Sequence, residues 1–242
     1  MRWTCLCCEA TYEERPPICG LCRSPHALSP IPSQIGGRDV AIGPRRRAGV
    51  VPAGAMQPDA SRAPYGDPWA SWGLRGRHAV LLFGAPGSGK STIATRMAVD
   101  AARRCEVLYV AAEEGHSVAL DERIRRAGCT DLALRRLAIS DARTSRELED
   151  DLACSSASIV VLDSLTELAM SPASLVALLG DRSWVGVSHA NSRGGAYGGA
   201  EFAHAVDVVV RVEAGVASPT KNRFGGLAAV AAWSEEARDV LD

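Results

Sequence analysis

The 242-residue chain lacks an excess of either charge; its formal net charge is −1. That balance excludes a wholesale electrostatic binder of nucleic acid and leaves room only for local basic patches. No apolar run approaches the roughly 18 residues of a membrane span. The opening residues, MRWTCLCCEA, carry no apolar leader core. Internal repeats are absent. A disulfide framework is absent too: of eight cysteines, five lie in the first 22 residues at metal-ligand spacing and three are scattered. Reduced thiols and a cytoplasmic location without membrane association are therefore expected.

What the chain does have is a phosphate-binding signature. Ala79 to Phe83 is an apolar strand, and the residues after it read Gly84-Ala85-Pro86-Gly87-Ser88-Gly89-Lys90-Ser91-Thr92. A glycine, four residues, then Gly-Lys-Ser between a strand and a helix is the P-loop pattern. Its glycines let backbone N–H groups curl round phosphates, and the helix N-terminus adds partial positive charge. Lys90 is expected to reach the β/γ-phosphates of ATP, and Ser91 to complete an oxygen shell around Mg²⁺. A second nucleotide-site element is the apolar strand Ser158 to Leu165, which carries Asp163 near its end as a carboxylate for Mg²⁺.

The strand Glu106 to Ala112 ends in Glu113-Glu114. Read as a strand beside the P-loop strand, it places Glu113 in the ligand crevice, where it can orient the attacking water. The competing reading is a pair of solvated acids opening a helix. Another strand, Trp184 to His189, brings Ser188 and His189 to the γ-phosphate region, or merely ends there. Further helices are expected over 90–104, 117–127, 144–155 and 175–179. Further strands are expected over 134–139, 206–212 and 227–233.

The N-terminus carries Cys5-x2-Cys8, ten residues, then Cys19-x2-Cys22. Two such knuckles close a tetrahedral Zn²⁺ site, structural because no position is left open. Cys7 and His26 read as bystanders. Residues 25–67 are rich in proline and glycine and read as a linker; its Arg45-Arg46-Arg47 is a solvated patch or a nucleic-acid contact. The expected division is a zinc ribbon over 1–24, a linker over 25–67 and an ATPase domain over 68–242. The glycine-rich stretch 191–199 reads as a mobile loop, with Arg193 and Tyr197 suited to single-stranded DNA.

Together these residues resemble the bacterial RadA (Sms) family, recombination and repair ATPases of the RecA superfamily. The x2, x10, x2 cysteine spacing, the segment LYVAAEEGHSVALDERIRRAG, the segment SHANSRGGAYGGAEFAHAVDVVVRVE and Lys221-Asn222-Arg223-Phe224-Gly225 carry the resemblance. It implies an α/β fold: a RecA-like core with a mainly parallel sheet flanked by helices. It implies a ring, hexameric in the family, with ATP between protomers and a recombinase or replication protein as candidate partner. It implies Glu113 as catalytic glutamate, Asp163 as Mg²⁺-binding acid, and His189 as the polar residue after the sensor strand. Lys221 and Arg223 would act in trans on the neighbour's nucleotide. Three features depart from the family: no C-terminal Lon-protease-like domain, a shorter span between Asp163 and Trp184, and Arg15-Pro16-Pro17 in the ribbon. A module that binds ATP and docks a partner through its ribbon, without motor activity, is the alternative. A small-molecule kinase would leave the KNRFG motif without a role.

Overall fold

A computed structural model describes residues 3–5, 11–12, 28–30, 61–191, 194–196 and 199–232. The chain forms two compact units, Met1–Asp59 and Ala60–Asp242. In the first, β1 (Trp3–Cys5) pairs antiparallel with β2 (Thr11–Tyr12) and with β3 (Leu28–Pro30). The stretch expected to be linker thus contributes a strand, because Leu28 to Pro30 finds an open edge on β1. At its other end that stretch joins the second unit, where Ala63 and Tyr65 are buried in the core. Cys5 lies in β1, while Cys8, Cys19 and Cys22 fall outside the described residues, as do Arg45 to Arg47.

The second unit is built on an eight-stranded sheet. Its strands are β4 (Ala79–Gly84), β5 (Val107–Val110), β6 (Leu137–Ser140), β7 (Ile159–Leu162), β8 (Ser183–His189), β9 (Val208–Glu213), β10 (Val216–Asn222) and β11 (Val230–Ala231). They lie in the order β11-β10-β9-β4-β8-β7-β5-β6. From β6 to β9 the pairing is parallel; β10 and β11 add an antiparallel edge. All six residues of β4 are buried, as both-face coverage demands. Val80 and Leu82 point to one face, under α1 (Lys90–Ala102), α2 (Val118–Arg126) and α3 (Asp131–Arg136). Leu81 and Phe83 point to the other, under α4 (Ser145–Ala153), α5 (Leu165–Leu168), α6 (Pro172–Leu179) and α7 (Gly199–Ala205).

Local chemistry sets several boundaries. Thr144 caps α4 in a reciprocal box with Glu147. Thr130 caps α3, so Leu134 and Leu132 sit on an exposed helical face and the strand begins only at Leu137. The loop at 191–199 is partly built: Asn191 Oδ1 accepts from Gly195 N at 3.0 Å, Ala190 bridges Ala196, and α7 begins at Gly199.

Candidate nucleotide site

Parallel strands share one C-terminal edge, and crossovers deliver their following turns to it. Here that edge gathers the P-loop after β4, Glu113 after β5, Asp163 after β7 and His189 at the end of β8. One expectation is corrected. The P-loop strand is flanked by β8 and β9, and the strand leading to Glu113 stands beyond β8 and β7. The two crossovers place later strands between earlier ones. Glu113 still belongs to the site, because its N–H bonds the Asp163 carbonyl at 3.2 Å. Its Oε2 lies 3.7 Å from His189 Nε2.

The P-loop packs tightly against β9. A Cβ at Gly84 would collide with the Val212 carbonyl oxygen and lie 2.7 Å from Ser88 Oγ. Only glycine fits there. Gly89 has φ of 98°, a left-handed entry that lets α1 start at Lys90. Beyond β9, the two-residue turn Ala214-Gly215 has φ of 46° and 74°, and Gly215 N donates to the Ser88 carbonyl at 3.0 Å. Such a turn suits the twist of a hairpin. Phe83 to Ser88, Asn191, Arg211, Glu213 and Ala214 line a cleft of about 490 Å³.

Lys90 is buried, and its Nζ donates to the Ala85 carbonyl at 2.7 Å, folded back on its own loop. Burial pushes its ammonium below the usual lysine range, while Asp163 and Glu113 pull the other way. Asp163 is buried at 4% exposure. Its Oδ2 accepts from the Tyr109 hydroxyl at 2.7 Å, and its Oδ1 has no partner. Ser88 Oγ and Ser164 Oγ are likewise buried and unpartnered. Buried polar atoms left without partners are uncommon. Three of them at the mouth of a P-loop fit a site whose hydrogen-bonding is completed by an oxyanion and a hydrated cation. The donor set, hard oxygens from a hydroxyl and a carboxylate, suits Mg²⁺.

Lys221 and Arg223 are not brought to this edge. Asn222 pairs with Val208 at the start of β9, and Arg223 N bonds the Asp207 carbonyl. Asp207 Oδ2 in turn accepts from Ala79 N, the first residue of β4. The KNRFG motif therefore sits at the opposite end of the sheet. A six-residue strand separates its ends by about 17 Å, so neither cation can touch the P-loop of its own chain. Lys221 Nζ donates to the Ala203 and Val206 carbonyls, both at 2.6 Å. Arg223 pairs with Asp207 at 3.0 Å and reaches the His204 carbonyl. Asn222 is a staple: its amide donates to the carbonyls of Trp72 and Gly226, and its Oδ1 accepts from Phe224 N. Gly226 lies so close to Ser71 and Trp72 that a Cβ would meet backbone.

Two residues the sequence did not single out matter here. Tyr109 reads from sequence as an ordinary core residue of a buried strand. Arg96, one helical face from the P-loop, donates to the Ala231 and Ala232 carbonyls and lies over Trp69. Among the described residues, no cluster of three or more metal-ligating side chains of the His, Cys, Asp and Glu type occurs, and no helix is long and apolar enough to cross a membrane.

The family model of the AAA domain matches residues 53–175. Among solved structures, the KaiC-like protein PH0186 from the hyperthermophilic archaeon Pyrococcus horikoshii OT3 aligns with a TM-score of 0.52. The alignment has 17% identity and spans 68% of this chain and 88% of that one. At that identity the likeness is one of fold. No curated protein matches the sequence significantly.

Proposed function

The chain belongs to the AAA domain family and hydrolyses ATP, and from that premise we propose that it is a RadA-like repair and recombination ATPase. In this reading it works as an oligomer, a ring like the family's, with ATP between protomers and stimulation by single-stranded DNA. One observation carries it. The P-loop, Asp163 and Glu113 share one end of the sheet, while the two cations of the KNRFG motif sit at the other, beyond reach of the same nucleotide. Cations in that position serve phosphate chemistry only on a neighbouring copy.

Ser91 and Asp163 would hold Mg²⁺, which neutralises charge on the β- and γ-phosphate oxygens. Lys90 exchanges the Ala85 carbonyl for phosphate oxygens. Glu113, steadied by its bond to Asp163 and its contact with His189, accepts a hydrogen bond from water and aims it in line. The new O–P bond forms as the bond to the ADP leaving oxygen breaks, and the water's proton leaves through the carboxylate. Lys221 and Arg223 of the adjoining copy add positive charge to the transition state. Cys5, Cys8, Cys19 and Cys22 would hold Zn²⁺ in a structural ribbon that docks a recombination or replication partner.

Mixing tests the arrangement. Lys90→Ala and Lys221→Ala proteins are each expected to lose most turnover under assembling conditions. Combined, they should recover activity, since one supplies the P-loop and the other the cation. No recovery sinks the trans arrangement, and a rate indifferent to added single-stranded DNA sinks the DNA part.

A further inference from the structure

Tyr109 is fully buried on β5, yet it carries a hydroxyl in the apolar layer beneath α1. The register explains where that hydroxyl points. Tyr109 stands opposite Val161 on β7, and Asp163 follows Val161 by two residues on the same face. The phenol donates to Asp163 Oδ2 at 2.7 Å. Thr95 Oγ1, from α1, lies 3.4 Å from the same hydroxyl and donates to the Ser91 carbonyl at 2.8 Å. With the Thr95 proton on the Ser91 carbonyl, the phenol's own proton is directed to Asp163. The second carboxylate oxygen, Oδ1, has no partner.

We propose that Tyr109 is a positioning residue for the metal-binding carboxylate: its hydroxyl commits Oδ2 and fixes the rotamer of Asp163, leaving Oδ1 as the oxygen presented to the divalent cation of the nucleotide. This rests on the Mg²⁺–ATP reading of the site. A phenol is protonated throughout the range in which carboxylates are ionised, so the group remains a donor. Outer-shell partners of metal ligands act in this way, by removing the freedom of the ligand to turn.

The test is Tyr109→Phe, read by binding of a fluorescent ATP analogue across a Mg²⁺ titration. The half-saturating Mg²⁺ concentration should rise about tenfold, while binding in excess chelator should stay within about twofold of wild type. A hydroxyl that merely fills the core would not separate the two measurements. An unchanged Mg²⁺ midpoint overturns the proposal and leaves the ATPase reading standing. Nucleotide binding by the wild type that ignores Mg²⁺ overturns both. Should the single variant fail to fold, with Asp163 left buried and unpaired, the double variant Tyr109→Phe/Asp163→Asn removes that charge. Its Mg²⁺ midpoint should equal that of Asp163→Asn alone; a further shift shows that Tyr109 does not act through Asp163 and overturns the proposal.

Discussion

The two ends of the eight-stranded sheet treat polar groups in opposite ways. At the P-loop end, Asp163 Oδ1, Ser88 Oγ and Ser164 Oγ are buried without partners, and Lys90 is buried against its own loop. At the far end each polar group of the KNRFG motif is engaged: Lys221 on two carbonyls, Asn222 on three backbone groups, Arg223 on Asp207. An unpaired buried polar atom costs stability, so the first end is built for a ligand at the fold's expense. The second end is built to hold its own shape, and its cations are displayed from a satisfied framework.

The sharpest way to break this contrast is to remove a charge from the P-loop end. Lys90→Met is expected to lower turnover by about 10²–10³-fold while melting no lower than wild type, because a buried ammonium leaves with it. A large fall in melting temperature would show that Lys90 serves the fold. Glu113→Gln is expected to cost turnover by about 10²-fold and to retain nucleotide binding, measured by equilibrium titration. At the far end the signs reverse. Asn222→Ala should destabilise the protein by about 2 kcal/mol in denaturant unfolding and leave Mg²⁺-dependent nucleotide binding at the P-loop near wild type.

The smallest effect concerns His78, just before β4. Its Nδ1 faces the Gly76 carbonyl at 2.9 Å and Ser183 Oγ at 3.2 Å, and its Nε2 faces the Tyr65 hydroxyl at 3.3 Å. Burial holds its pKa below the ordinary 6.5, with Gly76 and Asp207 opposing. A depressed imidazole pKa means the unfolded chain takes up the proton first. Its contribution to stability is therefore present above about pH 6.5 and is lost as pH falls from there through the lowered folded value. Wild type should melt lower at pH 5.5 than at pH 7.5, and His78→Gln should flatten that slope. An equal slope in both proteins would remove His78 from the account.

Much of this was legible in the chain itself. The P-loop, the buried strands and the acids after them are written as local patterns, so they survive reading one window at a time. The order of the strands is not, and it misplaced the strand of Glu113 relative to β4. Three further features were hidden for specific reasons. The strand over 216–222 contains Pro219, a residue that sheets accommodate at irregularities, and it sits at the register shift of β10. The strand expected over 134–139 begins only at Leu137, because Thr130 and Asp131 start a helix ahead of it. Tyr109 looked apolar because its role depends on which strand lies beside it. The lysines carry a signal of their own. Among 27 basic residues the chain has two lysines, Lys90 and Lys221. A chain that uses arginine everywhere else reserves the compact ammonium for the two ends of its sheet.

Those two ends share a strand. β10 begins beside Gly215, whose N–H holds the P-loop at Ser88, and it closes on Lys221 and Asn222. It is a ruler. The seven residues of β10, paired along β9 on both sides of the shift at Pro219, set the interval between the phosphate loop and the cations, and no loop lies in between to let that interval drift. Copies placed side by side would inherit the same spacing.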